Sequence, residues 1–258
     1  YDTVIQGQSG LAASQTGIHD DQPKLIKQLI CDKVTAYTAC QAITAALLAR
    51  ERGSGGQHLE LSMLDACIAF MFVDAADHEV ILDGDHSGPQ AVAAYNTPFA
   101  FRDGFATVAV PDDEEFHGLA RAMGVDSSDP DLATVKDRVA HPDKTRSFHL
   151  QVRENARQLT TAEAEAHLEN NGVPFGIVRL VDEVAHDPQV VANALFSEFD
   201  HPAAGRIRHH RSPTRFHGTP AEFREPAAPT LGQHSDEVAA ETGRGDRIKQ
   251  LRSAGVIR

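Results

Sequence analysis

The sequence predicts an α/β protein, and three stretches carry that expectation. Residues 33–52 form an Ala/Leu-rich run free of Gly and Pro, the composition of a long helix. The segment "HLELSM" (58–63) alternates, with Leu59, Leu61 and Met63 on one side, and reads as a strand leading into a helical pattern over 64–82. "FAFRDGFATVAV" (99–110) has two apolar arms around Asp103-Gly104, the signature of a hairpin.

Taken in order, residues 1–17 carry three glycines and predict a strand end and a tight loop into a short helix. Residues 18–31 form a polar connection that ends in "LIKQLIC". Arg50 and Arg52 suit the negative end of the helix over 33–52, Gly53 offers a C-terminal cap, and "GSGGQ" (53–57) is a turn. Residues 83–98, with Gly84, Gly88, Pro89 and Pro98, are loop-like and predict a domain boundary. Helices follow at about 113–123, 145–158 and 161–170, the last capped by Thr160 or Thr161 and ended by Gly172. "VPFGIV" (173–178) is a short strand. "LVDEVAHDPQVVANALF" (180–196) is helical around a break at Pro188. "GRIRHHRSPTRF" (205–216) is a strand, followed by a proline-rich loop (219–230) and two short helices.

Composition narrows the function. The chain has 258 residues, 41% hydrophobic and 24% charged, which is globular rather than disordered. A net charge of −13, spread along the chain, argues against nucleic acid or an anionic membrane as partner. An apolar run of about 20 residues, the length that spans a bilayer, is absent from the sequence. Cys31, Cys40 and Cys67 are odd in number and lack CxxC spacing, so they read as reduced thiols of a cytoplasmic protein. Fourteen histidines form neither HExxH nor a finger pattern, and His209-His210 lies in an arginine-rich, solvated strand, so no metal is expected. "DDEE" (112–115) is a helix start rather than a metal patch. "GSGGQ" lacks the Gly-Lys-Ser/Thr of a phosphate loop and precedes a strand. Low aromatic content (6%, no Trp) argues against a large stacking platform.

Asp32 precedes the long helix. Aspartate is among the best N-cap residues, so the sequence pattern favours a cap. The same place suits chemistry, because free N–H groups and the helix dipole favour an ionised carboxylate, a competent covalent nucleophile.

Several stretches together carry a resemblance. "YDTVIQGQSGLAASQTG" (1–17), "CDKVTAYTACQAITAALLARERGSGGQHLELSMLDA" (31–66), "NGVPFGIVRLVDEVAHDPQV" (171–190), "HPAAGRIRHHRSPTRF" (201–216) and "APTLGQHSDEV" (228–238) stand in the order found in class III CoA-transferases. That family also contains the α-methylacyl-CoA racemases. The resemblance implies that Asp32 is the catalytic residue, attacking an acyl-CoA thioester in the transferases and exchanging a proton in the racemases. It makes cap and nucleophile compatible roles for Asp32. Racemases place a histidine in a Gly-His-Asp motif. The aligned pair here is Tyr1-Asp2, which favours a transferase and puts Tyr1 beside the thioester. Met63 matches a position near the CoA chain, with core packing as the equal alternative.

The resemblance further implies a partial Rossmann-like large domain (1–82), a small α+β domain (83–180) and a return to the large domain (181–258). It implies an interlinked homodimer, coenzyme A as acyl-CoA substrate, a carboxylate acceptor, and no metal. Family members are about 130–150 residues longer at the N-terminus, a stretch holding the first βαβ units. Two rival readings are a racemase and a truncated, non-catalytic copy. Because helix 33–52 is apolar on nearly every face, a further layer from upstream residues or a partner chain is expected to cover it.

Overall fold

The structure is a computed structural model and describes residues 1–15, 22–75, 80, 82–83, 97–221 and 228–258. The chain divides into two compact units, Tyr1–Val178 and Arg179–Arg258. The first contains two separate apolar clusters.

The N-terminal cluster is helical. Where a strand end was expected, Asp2–Gln8 forms helix α1, stitched at i,i+4 by the bond from Gln6 Nε2 to Asp2 Oδ1 (2.6 Å). Gly10, with φ +86°, turns the chain into α2 (Leu11–Ser14). α3 runs Ile30–Ala49, three residues earlier than expected, and continues as a wide turn over Arg50–Ser54 in which Gly53 takes φ +93°. α4 spans Met63–Ala75. Leu11, Cys31 and Cys67 are the buried centre, flanked by Ile5, Ile26, Ile30, Met63 and Met71. Along α3 the buried residue is Cys31, whereas Tyr37 is 76% exposed and Ile43, Leu47 and Leu48 are about half exposed.

Where a strand was expected over 58–63, residues 58–62 are irregular and Met63 already opens α4. The alternation is real, but no described strand lies beside this segment to accept its backbone bonds, and Leu59 and Leu61 remain exposed. The end of the helical pattern over 64–82, most of the loop 83–98 with its domain boundary, and the middle of the loop 219–230 lie outside the described residues.

The second cluster is an antiparallel sheet packed with helices. β1 (Phe99–Ala100) and β2 (Phe105–Val108) are the expected hairpin, and β3 (Phe175–Ile177) pairs with β2, Ala106 opposite Ile177. Asp103 in the hairpin turn accepts the Thr161 N–H at 2.7 Å. α5 (Asp113–Ala122), α6 (Val135–Ala140), α7 (Pro142–Ala156) and α8 (Thr161–Asn170) bury Phe116, Leu119, Phe148, Val152 and Leu168. α6 was not expected from the sequence. α5, α6 and α8 each start with a capping box: Asp112 with Glu115, Thr134 with Asp137, Thr160 with Glu163. Buried Arg138 stacks over Phe116 (4.1 Å to the ring centre) and pairs with Asp113 at 2.7 Å.

In the second unit, α9 (Pro188–Ala192) is shorter than the expected helix over 180–196. Asp187 caps it and Pro188 opens it; Ala194, at φ +47°, ends it. The following β4 (Phe196–His201) was not expected. It pairs residue for residue with β5 (Gly205–His210), and Glu198 bridges Arg206 and Arg208. Two short helices follow, α10 (Ser235–Glu241) and α11 (Ile248–Ser253). No described helix is long and apolar enough to cross a membrane.

Candidate active site

The site is built at the start of α3, and the sequence expectation for its cap is corrected there. The N-cap is Leu29, which has no side-chain acceptor, and Asp32 is the third residue of the first turn. The cap comes from α1. Asp2 Oδ2 accepts the N–H groups of Cys31 (2.8 Å) and Asp32 (3.1 Å). The Ile30 N–H goes to the Gln28 carbonyl (2.8 Å) and that of Lys33 to the Leu29 carbonyl (3.3 Å). The N–H groups of Ile30, Cys31, Asp32 and Lys33 all have acceptors, and for Cys31 and Asp32 that acceptor is Asp2 rather than the Asp32 carboxylate.

Gln6 holds Asp2 in place. Fully buried, it donates to Asp2 Oδ1, accepts the Ile26 N–H at 2.9 Å, and lies within reach of the carbonyls of Ile26 (3.1 Å) and Gln28 (3.4 Å). Burial pushes the Asp2 carboxyl up. The bonds from Gln6 and from the Asp32 and Cys31 N–H groups, with the nearby Lys33 charge, outweigh it and leave Asp2 below its ordinary value of 3.8. Burial, the neighbouring Cys67 thiol and the charges of Asp2 and Asp32 push the Cys31 thiol up to about 12. Cys31 is thus a protonated, unreactive packing residue.

Asp32 presents an exposed carboxylate that receives no hydrogen bond from any described residue. Tyr1 is the N-cap of α1, directly precedes Asp2 and is 99% exposed. Met63 opens α4, half-buried against the cluster that contains Cys31. The fold joins Asp2 to the backbone of Cys31 and Asp32, and Met63 packs against the cluster that contains Cys31. Asp2 and Gln6 were not singled out as functional by sequence reasoning. Their i,i+4 spacing was the local signal, but the contact across about 30 residues is tertiary.

The acidic run 112–115 acts as expected, with Asp112 and Glu115 in the cap of α5 and Asp113 on Arg138. Among the described residues, no group of three or more His, Cys, Asp or Glu side chains is placed to hold a metal ion. His209 and His210 stack on each other (ring centres 5.1 Å apart) on the exposed strand β5.

The chain belongs to CoA-transferase family III, whose model matches residues 1–235. It is 31% identical over 252 aligned positions to a succinate–glutarate CoA-transferase of Agrobacterium fabrum, covering 93% of this chain and 60% of that protein. It is 26% identical over 275 positions to a succinyl-CoA:glutarate CoA-transferase of Mus musculus, covering 100% of this chain and 59% of the relative. Among solved structures, a CaiB/BaiF family protein from Brucella suis superposes with a TM-score of 0.70 at 26% identity, over 93% of this chain and 62% of the other. The chain thus spans about three fifths of the length of these relatives. The mixed α/β fold agrees with that neighbour.

Proposed function

We propose that the protein of which this chain forms part is a CoA-transferase that moves coenzyme A from an acyl-CoA to a carboxylic acid through a covalent intermediate on Asp32. The observation that carries the reading is the exposed Asp32 carboxylate, which takes no hydrogen bond from any described residue, on a capped helix start in a chain that belongs to this family. The Asp32 carboxylate attacks the thioester carbonyl, the C–S bond breaks, and an acyl–aspartyl anhydride and a CoA thiolate result. The thiolate attacks the aspartyl carbonyl of the anhydride, giving an aspartyl–CoA thioester and releasing the donor acid as a carboxylate. An acceptor carboxylate then attacks that thioester and expels the thiolate again. The thiolate finally takes the acyl group of the new anhydride, which yields the new acyl-CoA and restores Asp32. No step calls for a metal or a redox cofactor.

Tyr1 and Met63 flank Asp32 in this reading, Tyr1 beside the thioester and Met63 along the CoA chain. Succinate and glutarate are the first acceptors to assay, because similar proteins are named for them. The functional form in this reading is a cytoplasmic, interlinked homodimer, with residues 1–82 completing a Rossmann-like domain. A racemase reading would call for an imidazole where Tyr1 stands.

Asp32→Asn in the full-length protein tests the assignment. The Asp2 cap is untouched, so folding survives, while removal of the attacking oxygen anion lowers turnover by about 10³-fold or more. Mass spectrometry of the peptide holding residues 29–33 is expected to show a CoA adduct in the parent enzyme and none in the variant. Near-normal activity in Asp32→Asn overturns the reading.

A further inference from the structure

Three helices of this chain show what normally happens to a carboxylate in the third position. Glu115, Asp137 and Glu163 each fold back and accept the N–H of their own N-cap residue, at 3.4, 3.1 and 2.7 Å. In return the N-cap side chains of Asp112, Thr134 and Thr160 accept the third N–H. Asp32 holds the same position in α3, counted from Leu29, yet its carboxylate receives no such bond.

The difference is the origin of the cap. Leu29 has nothing to accept with, and the N–H groups of Cys31 and Asp32 are taken by Asp2, 29 and 30 residues away in sequence. Asp2 is buried and clamped by fully buried Gln6, so this is a built arrangement rather than a surface contact. A carboxylate that accepts hydrogen bonds is stabilised and loses nucleophilicity; one that accepts none keeps its lone pairs for a substrate.

We infer that Asp2 is a positioning residue: by capping α3 from outside, it keeps the Asp32 carboxylate out of the capping bonds and available to a thioester. The inference rests on the reading of Asp32 as nucleophile. Without the external cap, the N–H groups of Cys31 and Asp32 lose their acceptor, and Asp32 is the carboxylate in the same turn that can replace it.

The test uses the full-length enzyme with succinyl-CoA and glutarate. Asp2→Ala is expected to lower kcat by about 10-fold or more with KM changed less than about 2-fold, as for a misplaced reacting group. Asp112→Ala removes the local side-chain cap of α5, which packs in the other apolar cluster, and should lower the melting temperature while kcat stays within about 2-fold. The sharpest arm is Asp2→Ala combined with Leu29→Ser. The serine creates a local Ser-x-x-Asp capping box with Asp32, which supports the helix but consumes the carboxylate. The kcat is therefore expected to stay low whatever the melting temperature does. Recovery of kcat in the double variant, or normal kcat in Asp2→Ala, overturns the inference. Should Asp2→Ala not fold, Asp2→Asn, which keeps one acceptor oxygen, replaces it: a fall in kcat of about 5-fold supports the inference and an unchanged kcat overturns it. Asp32→Asn keeps the two questions apart, because full activity there removes the nucleophile assignment itself, independently of Asp2.

Discussion

At the start of α3 two carboxylates stand in different surroundings. Asp2 is buried among donors, and Asp32 is exposed without a donor among the described residues. The Asp2 bonds favour its charged form, which makes them pH-dependent. Its folded value lies below 3.8, so between those two values the unfolded chain binds more protons than the folded one, and stability rises with pH. The contribution is fully present above about pH 5 and is lost as pH falls through the lower, folded value. The difference in urea midpoint between the parent protein and Asp2→Asn is therefore expected to be constant from about pH 5 to 7 and to shrink below about pH 4. A difference as large at pH 3 as at pH 6 would show that Asp2 is not held in its ionised form by these contacts.

At the scale of elements, helix boundaries follow from caps, and helix packing from small residues at contact points. α5 lies against the end of α8 at Gly118, where a Cβ would come within 2.6 Å of the Asn171 carbonyl oxygen and 3.0 Å of Val173 Cγ2. Alanine is the better helix former by about 1 kcal/mol, so propensity by itself predicts that Gly118→Ala stabilises. The backbone oxygen cannot yield as a flexible side chain would. Gly118→Ala is expected to destabilise by about 1–3 kcal/mol through overpacking, measured by thermal or urea unfolding. A gain in stability would mean that the α5–α8 contact is looser than this geometry.

At the scale of the molecule, α3 and α4 carry apolar surface that the described residues do not cover. Tyr37, Ile43, Leu47 and Leu48 on α3, and Phe70 and Val73 on α4, are exposed, Val73 by 81%. Patches of that kind are covered by protein or promote association. Residues 1–258 expressed by themselves are expected to bind a hydrophobic dye strongly and to aggregate, whereas the same segment within a full-length or dimeric protein binds little. Dye binding no greater than that of an ordinary folded protein, with cooperative unfolding of a monomer, would sink that expectation.

What the sequence determined by itself is what short-range chemistry decides. Thr160 with Glu163 set the start of α8, Asp103-Gly104 set the hairpin, and the Ala/Leu run set α3, because each depends on neighbours within a few residues. The order of the quoted stretches was enough to indicate the family and to single out Asp32. Only the tertiary structure decided who caps α3. Leu29 offers no acceptor, so the first turn is completed by Asp2 from another helix, and no local pattern reveals a bond across about 30 residues. The same holds for 58–63, which alternates like a strand yet has no described partner, and for β4, whose residues 196–201 read partly as helix until pairing with β5 makes them a strand. A strand is defined by the chain that lies beside it, and the start of α3 by a carboxylate from another helix; both are properties of contacts distant in sequence.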